Sequence, residues 1–367
     1  MIEIDGTHGE GGGQIIRTAL ALSTITNKAF EATNIRAGRK DAGLKPQHLF
    51  CIKTLEQLCN AKTGGAEKGS NKIRYIPGKI KGKTLEIDIG TAGSITLLMQ
   101  ALLLPCFFAD KKVKLKLKGG TNTKWSMPIE YFQEVFIPHI RKFCEKIDVK
   151  LIKRGYYPKG GGEVEITITP KFKIKDYPDF DRFLEDLRKQ NLHLNNIEQY
   201  HLLQIRGVSH ASKHLENAQV AERQAKTAKF QLGKYGVPVN IRTEYCDTLS
   251  PGSGITLWAL FSKQKEDLDL INPIIIGADS LGEKGKLSEK VGEEAAKKLI
   301  QQIDTGAPID SHLADNLIPW MALFCPSSIN VSEITAHTTT NIYAVEQFLG
   351  KIFEIDQKKK IISTKLC

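Results

Sequence analysis

Hydrophobic and polar positions follow two different periods along the chain, which predicts a mixture of helices and strands. Apolar residues fall at helical spacing in residues 15–20 and again in residues 52–58. Lysines instead alternate with apolar residues from Lys112 to Lys118, which is the period of a strand with one face in water. We interpret this row as a solvated strand face, and an RNA-binding ridge is the less favoured alternative.

One pattern occurs twice in the first half of the chain: a strand, an acidic residue, a glycine-rich turn and a helix. The acidic residues are Asp5 and Asp88, and second helices end at a similar offset, near Cys59 and Cys144. Internal repeats of this kind indicate repeated structural units. The strand pairs that complete the two units are predicted at residues 72–76 with 84–88, and at 149–153 with 163–169.

The character of the sequence changes after Pro170, where a polar and charge-rich stretch begins. We interpret residues 178–276 as an inserted smaller α/β domain. A third unit is then predicted from a strand at residues 274–276, helices at 288–303, 314–324 and 342–353, and a strand at 329–331.

The sequence therefore predicts an α/β protein of the α+β type. Its main catalytic domain, residues 1–177 and 277–367, is expected to contain three repeated units, each with two helices on a four-stranded sheet.

The composition is that of a globular protein, with 41% hydrophobic and 25% charged residues in 367. Its longest apolar stretch, residues 97–109, is interrupted by Gln100 and Pro105 and is too short to span a bilayer. The formal net charge of +11 favours an anionic partner such as nucleic acid or a nucleotide phosphate.

Cysteine usage indicates reduced thiols in a cytoplasmic protein, and the N-terminus shows no pattern of a secretory signal. The seven cysteines are scattered and form no Cys-x-x-Cys pair: Cys51, Cys59, Cys106, Cys144, Cys246, Cys325 and Cys367.

The strongest local motif is the glycine-rich turn from His8 to Arg17, which lies between a predicted strand and a predicted helix. Glycines and a helix N-terminus together favour a bound phosphate, although a tight structural turn has the same signature. The turn is neither a Walker loop nor a dinucleotide fingerprint. Glu10 and Arg17 favour function, since the acid can hold a hard cation and arginine can bind a phosphate with two donors.

Two further segments give weaker evidence of a functional site when each is taken alone. Residues 35–48 concentrate Arg36, Arg39, Lys40 and Lys45 in a glycine-containing loop, which is more often a solvated loop than a phosphate site. His337 lies in a polar run between a strand and a helix that Asn341 or a threonine could cap. Such a histidine can act as a base, ligand or nucleophile, but it is usually only a surface residue.

Four stretches together resemble the RNA 3′-terminal phosphate cyclases, and the similarity extends over nearly the whole chain. They are residues 5–20, residues 34–48, His312-Leu-Ala-Asp-Asn-Leu and Ala336-His-Thr-Thr-Thr-Asn-Ile. The resemblance implies an AMP-forming ligase that uses ATP and Mg²⁺ or Mn²⁺ to convert an RNA 3′-phosphate into a 2′,3′-cyclic phosphate. It also implies a covalent histidine–AMP intermediate, an RNA-adenylate intermediate, and a main body of repeated units with an inserted α/β domain.

The resemblance also implies roles for individual residues. His337 matches the nucleophile, and Glu10 matches the metal-binding acid. The residues that match the phosphate or RNA-end pocket are Gln14, Arg17, Arg36, Arg39 and Gln47. Those that match the ATP site are Gln100, Pro128, His312, Leu313, Ala314, Asp315 and Asn316. His312 and Asn316 differ from the aromatic residue and the glutamine that family members tend to carry.

Two other classes of function compete with this interpretation. A catalytically inactive cyclase-like protein would bind RNA or a ribosome-assembly partner, but it would be expected to lack the nucleophile. A small-molecule transferase built from similar units would form no histidine–AMP. The sequence indicates no membrane partner and gives no oligomeric state.

Overall fold

The computed structural model describes residues 1–264 and 268–365, so Cys367 lies outside the described residues. It contains four sheets of four strands with helices packed against them, which confirms the α/β fold class. Within these two ranges, every helix is too short or too polar to span a bilayer.

The first sheet has the strand order β1-β2-β4-β3, with β1 parallel to β2 and the other pairs antiparallel. Its strands and helices are β1 (Ile2–Asp5), α1 (Gln14–Thr26), β2 (Phe30–Thr33), α2 (Pro46–Cys59), β3 (Lys62–Gly64) and β4 (Ile73–Ile76).

The second sheet repeats this arrangement in the order β5-β6-β8-β7. Its elements are β5 (Thr84–Asp88), α3 (Ile95–Phe107), β6 (Val113–Gly119), α4 (Ile129–Tyr131), a π-helical turn at Phe132–Phe136, α5 (Ile137–Ile140), a 3₁₀ turn at Arg141–Phe143, β7 (Lys146–Lys153) and β8 (Gly162–Thr169).

The predicted pairing of residues 149–153 with 163–169 is confirmed, but that of residues 72–76 with 84–88 was wrong. β4 pairs with β3, whereas β5 pairs with β6. The reason is that β5, like β1, precedes a glycine-rich turn and a buried helix. Its apolar residues Leu85 and Ile87 are therefore buried in the second unit's part of the core.

The third sheet is interrupted after its first strand by a fourth sheet. The elements before and within the interruption are a 3₁₀ turn at Ile174–Asp176, α6 (Phe180–Arg188), β9 (Asn195–Asn196), β10 (His201–Ser212), a 3₁₀ turn at Lys213–Leu215, α7 (Val220–Leu232), a 3₁₀ turn at Gly233–Tyr235, β11 (Val239–Cys246), β12 (Ser253–Ser262), β13 (Ile274–Leu281) and α8 (Ser288–Asp304). The third sheet then continues with α9 (Ser311–Leu323), β14 (Ser328–Asn330), α10 (Ala336–Leu349), β15 (Phe353–Asp356) and β16 (Ile361–Thr364).

Its strand order, β9-β14-β16-β15, follows the same scheme as the first two sheets, in which the first strand is parallel to the second. The interrupting sheet has a different order, β11-β10-β12-β13.

Sheet membership differs from the predicted boundaries of the insert at both ends. The strand expected to open the third unit, β13, pairs with β12, and α8 packs its apolar face on this same sheet. At the other end, α6 buries Phe180, Phe183 and Leu187 in the core of the main body. We therefore propose residues 201–304, rather than 178–276, as the inserted unit.

Helix α1 lies at the centre of the main body. All 13 of its residues are buried, and it packs against α2, α3 and α10. A single hydrophobic core extends around it through the three repeated units. Polar residues of α1 therefore need partners from neighbouring helices.

The lysine row on β6 is a solvated strand face, as predicted. Its lysines form ion pairs with acidic residues of the two adjacent strands: Lys114 with Glu165, Lys116 with Glu86, and Lys118 with Asp88.

A buried ion pair within the second unit, between Arg154 and Glu130, is connected to the inserted unit through the partly exposed Glu244. Arg154, which is 1% exposed, contacts Glu130 at the start of α4 and Glu244 on β11. Asn122 links the same Glu130 to His210 on β10. Because charges in such a site have little access to water, each depends strongly on its partner.

We predict that Glu130→Ala lowers the free energy of unfolding by about 3–5 kcal/mol, because it leaves the guanidinium of Arg154 buried with reduced compensation. Chemical denaturation of the purified protein measures the loss. Lys116→Ala is the control, since it breaks an exposed pair and should leave unfolding nearly unchanged. Equal effects of the two substitutions would contradict the importance of the buried pair.

Candidate functional site

His337 lies in the first turn of α10, and not in a loop before the helix as the sequence had suggested. The helix begins at Ala336 instead of residue 342, because the side chain of Thr335 accepts a hydrogen bond from the backbone N–H of Thr338. This cap stabilises a helical start rich in threonine, which has a low helix propensity. Of the two predicted caps, Asn341 or a threonine, the threonine is therefore confirmed.

Both ring nitrogens of His337 have polar neighbours from the glycine-rich turn and α1. Nδ1 lies 2.9 Å from Oε1 of Gln14, and Nε2 lies 3.1 Å from Oε2 of Glu10. An amide oxygen only accepts, so Nδ1 donates to Gln14. Nε2 consequently faces the carboxylate of Glu10 on the more exposed side of the ring.

Glu10 is also in contact with Arg39, whose Nη2 lies 3.3 Å from Oε2 of the carboxylate. The backbone N–H of Glu10 donates to Oγ1 of Thr340 on α10. Glu10 thus lies between an arginine and the imidazole of His337, where it is only partly exposed.

The surroundings of His337 favour its neutral form. Burial lowers the pKa of this histidine, and the positive charges of Arg17 and Arg39 lower it further, whereas Glu10 opposes them. A neutral imidazole has a free electron pair on one nitrogen and can act as a nucleophile.

Arg17 extends the network from α1 to α3 and α9. Its Nε donates to Oε1 of Gln100 at 2.7 Å, and Nε2 of Gln100 donates to Oδ1 of Asn316 at 2.9 Å. Burial lowers the pKa of Arg17, but an arginine keeps its charge near neutral pH. A narrow cavity beside this chain of contacts is lined by Gln100, Asn316 and the apolar side chains of Met127 and Phe132.

Asp315 on α9 connects to the site through Gln14. Nε2 of Gln14 donates to Oδ2 of Asp315 at 3.3 Å. The backbone carbonyl of Asp315 accepts from Asn341, whose own side-chain oxygen accepts from Thr18. Burial raises the pKa of Asp315 to about 7.

The N-terminus of α1 has free donors and no side-chain cap, because Gly13 is the residue before it. Nε2 of His48 and Nε of Arg36 are buried nearby and have no hydrogen-bond partner within residues 1–264 and 268–365. Since Nδ1 of His48 accepts from the backbone of Lys45, its Nε2 carries the proton. Unpaired donors beside a helix N-terminus are suited to an anion.

Comparison with known proteins decides the family. The family model for RNA 3′-terminal phosphate cyclase matches residues 8–355. The chain belongs to this cyclase family. It is 44% identical to the RNA 3′-terminal phosphate cyclase of Pyrococcus furiosus over 97% of this chain and 95% of the relative. The protein of the same name from Methanosarcina acetivorans is 42% identical over the full length of both.

The structure brings several of the residues inferred from the cyclase family into one network. Glu10, Arg39, Gln14, Asp315 and His337 are connected by direct contacts. Arg17, Gln100 and Asn316 form the second branch, described above.

Other residues inferred from the cyclase resemblance lie at the margin of this network. Leu313 and Ala314 are fully buried, so their side chains face the core and only their backbone is available to a ligand. His312 is exposed in the first turn of α9, and Gln47 is half-buried in the first turn of α2. Pro128 immediately precedes α4, next to Met127 of the cavity. Their roles in a cyclase remain predictions.

Sequence reasoning missed two residues that shape the site. Asn341 is four positions after His337, a spacing that puts both on one side of a helix, and this could have indicated a shared role. His48 gave no such signal, because its contact with Gly13 depends on the packing of α2 against α1.

Mg²⁺ needs few ligands from protein when phosphate oxygens and water supply the rest. The described part of the chain has no cluster of three or more metal-ligating side chains. The single carboxylate of Glu10, beside free backbone donors, therefore fits a metal held mainly by a polyphosphate.

We predict that Gly13→Ala destabilises the protein by about 1–3 kcal/mol, the usual cost of overpacking. A Cβ atom at this position would lie 2.0 Å from Nε2 of the buried His48. Gly12→Ala is the matched control, since the atoms nearest to a Cβ there would be at 3.9 and 4.0 Å and its backbone is outside the left-handed region. Thermal or chemical unfolding of both variants measures the difference, and equal stabilities would contradict the close packing.

Proposed function

We propose that this protein uses ATP to convert an RNA 3′-phosphate end into a 2′,3′-cyclic phosphate, with His337 as the nucleophile. The observation that carries the proposal is the position of His337, whose imidazole lies between Glu10 and Gln14 and close to the positive charges of Arg17 and Arg39. The names of the curated relatives and the family match support the same reaction.

In the first step, a nitrogen of His337 attacks the α-phosphorus of ATP. A P–N bond forms and the P–O bond to pyrophosphate breaks, so AMP becomes attached to the histidine. Covalent catalysis divides the activation of the RNA end into separate displacements and stores the activation in the phosphoramidate bond. The arginines would hold the phosphates in line for attack and offset their negative charge.

In the second step, an oxygen of the RNA 3′-phosphate attacks the same phosphorus and releases His337. The adenylated 3′-phosphate now carries AMP as a good leaving group. In the third step, the neighbouring 2′-hydroxyl loses its proton, attacks the 3′-phosphorus and expels AMP. The need for this hydroxyl restricts cyclisation to RNA, since DNA has no 2′-hydroxyl.

Glu10 would hold Mg²⁺ or Mn²⁺ through its carboxylate, and the bound metal would reduce the negative charge on the triphosphate. We assign Gln100 and Asn316, which line the narrow cavity beside Arg17, to the ATP site. Arg36, Arg39 and Gln47 are assigned to the RNA end or the phosphates. Anion binding near α1 is supported by the unpartnered donors of Arg36 and His48.

Labelling tests the first step directly. The purified protein is incubated with α-³²P-labelled ATP and Mg²⁺ or Mn²⁺, and the denatured protein is then analysed with and without acid treatment. We expect an acid-labile label on the wild type and none on His337→Ala, because acid cleaves a phosphoramidate. His193→Ala is the matched control and should be labelled like the wild type, since His193 lies far along the sequence outside the network.

An unlabelled wild type, with its fold and the metal verified, would contradict the proposal. RNA or ribosome-assembly binding by a catalytically inactive cyclase relative would then become the leading interpretation.

We predict that Arg39→Ala slows cyclisation of a 3′-phosphate RNA on the order of 100-fold, as expected when one donor to a reacting phosphate is lost. Its side chain is 46% exposed, so unfolding should change little. Turnover of the RNA and thermal unfolding are measured on the same preparation. Lys40→Ala, which removes a neighbouring exposed charge, is the control; unchanged turnover in Arg39→Ala would remove Arg39 from the site.

A further inference from the structure

We infer that Asp315 is a positioning residue that acts through Gln14 to fix the tautomer of His337. This inference rests on the proposed role of His337 as the nucleophile. It concerns the order of contacts from α9 through α1 to α10: the carboxylate of Asp315, the amide of Gln14 and the imidazole of His337.

The orientation of the Gln14 amide decides which of its two polar groups faces His337. Its two ends are a donor and an acceptor, and their assignment follows from the neighbouring groups. An ionised carboxylate accepts hydrogen bonds and donates none. Burial raises the pKa of Asp315 to about 7, so above that pH its carboxylate requires the NH₂ group of Gln14 to point toward it, which leaves the oxygen of the amide pointing to His337.

The orientation of the amide then determines the tautomer of His337. The oxygen of Gln14 lies 2.9 Å from Nδ1, so Nδ1 must carry a proton to make this bond. In a neutral imidazole only one nitrogen is protonated, so the electron pair is on Nε2. Nε2 is the nitrogen that faces Glu10.

The contact between Nε2 and Glu10 offers an alternative arrangement. Nε2–H could donate to Glu10, and the Gln14 amide would then have to turn its NH₂ group toward Nδ1. That rotation would point the amide oxygen at the carboxylate of Asp315, and two acceptors would face each other. Each arrangement leaves one pair of acceptors in contact: Nε2 with Glu10 when Nδ1 is protonated, and Gln14 with Asp315 when Nε2 is protonated. The role of an ionised Asp315 is to raise the cost of the second arrangement, in which a proton blocks Nε2.

The same chain of bonds supports the charge that develops during attack. When Nε2 bonds to phosphorus and pyrophosphate leaves, Nδ1 keeps its proton and the ring becomes cationic. The hydrogen bond from Nδ1 to Gln14 strengthens as this charge appears, since bonds with a charged donor are stronger than neutral ones. Above the pKa of Asp315, its negative charge stabilises the cation from behind Gln14.

The anchoring of Asp315 suits a positioning role. Asn316 donates to its other carboxylate oxygen at 2.6 Å, and Asn341 on α10 donates to its backbone carbonyl. These bonds fix Asp315 relative to the helix that carries His337. Asp315 thereby acts on the reaction without a requirement to touch ATP.

The test reads the tautomer of His337 in the ligand-free protein. Protein labelled with ¹⁵N-histidine is studied at pH 8, above the ordinary pKa of histidine, by long-range ¹H–¹⁵N correlation. The signal of His337 is identified by its loss in His337→Ala. We expect a proton on Nδ1 in the wild type, and a shift toward the Nε2–H tautomer in Asp315→Asn, whose amide side chain no longer fixes Gln14.

Two further variants separate positioning from folding. Gln14→Met keeps the length of the side chain but removes the amide, so it should also shift the tautomer, even if Asp315→Asn fails to fold. Asp356→Asn, at the exposed end of β15, is the matched control and should leave the His337 signals unchanged. The other histidine signals report whether each variant remains folded.

Protein–AMP formation provides the kinetic readout. We expect Asp315→Asn to slow adenylation of His337 by about 10- to 100-fold, as is typical when the partner of a functional histidine is removed. An Nε2–H tautomer in the wild type that disappears in Glu10→Gln would overturn the inference, because Glu10 would then set the tautomer. A folded Asp315→Asn variant in which the tautomer of His337 is unchanged would also overturn the inference.

The two proposals fail separately. If AMP labels His337 but Nδ1 carries no proton, the positioning role is wrong and the proposed function stands. If Nδ1 carries a proton that depends on Asp315 but no protein–AMP forms, the proposed function fails while the hydrogen-bond order is confirmed.

Discussion

The complete burial of α1 is the constraint on which the rest of the molecule depends. Gln14, Arg17 and Thr18 are polar, and buried polar groups are costly unless they are hydrogen-bonded. Their partners come from α3, α9 and α10, which belong to the second and third repeated units. The polar groups of α1 thus hold the three units in register, and the candidate site lies where these partners meet.

This arrangement explains why one cluster combines a histidine, an acid and several arginines. The first unit contributes Glu10 and the arginines, the second contributes Gln100, and the third contributes His337. Arg17 also acts on His337 electrostatically, because its buried positive charge is close enough to lower the pKa of this histidine. A structural requirement of α1 and a chemical requirement of the histidine are therefore met by the same side chain.

The sequence predicted those features that are encoded locally. The spacing of neighbouring residues is enough to predict the solvent-exposed face of β6, the pairing of β7 with β8, and the helical periods of α1 and α2. Sheet partners separated by long connections were harder to predict from the sequence, because the strand patterns of β5 and β13 fit either of two sheets. The contact between Gln14 and His337 joins residues 323 positions apart, so no period could predict it, and only the family resemblance assigned both residues to one site. The start of α10 was misplaced because a threonine cap outweighs the weak helix propensity of the residues after it.

The interruption of the third sheet also affects the order in which the protein can be built. β9 has no parallel neighbour until β14 is synthesised, and the whole inserted unit is made between them. Domains generally fold as they emerge, with N-terminal parts first. The inserted unit can therefore fold on the ribosome while the third sheet is still incomplete. His337 and Asn341 lie later still, so the glycine-rich turn is synthesised long before the helix that packs against it. The candidate site can therefore be completed only once α10 has been synthesised.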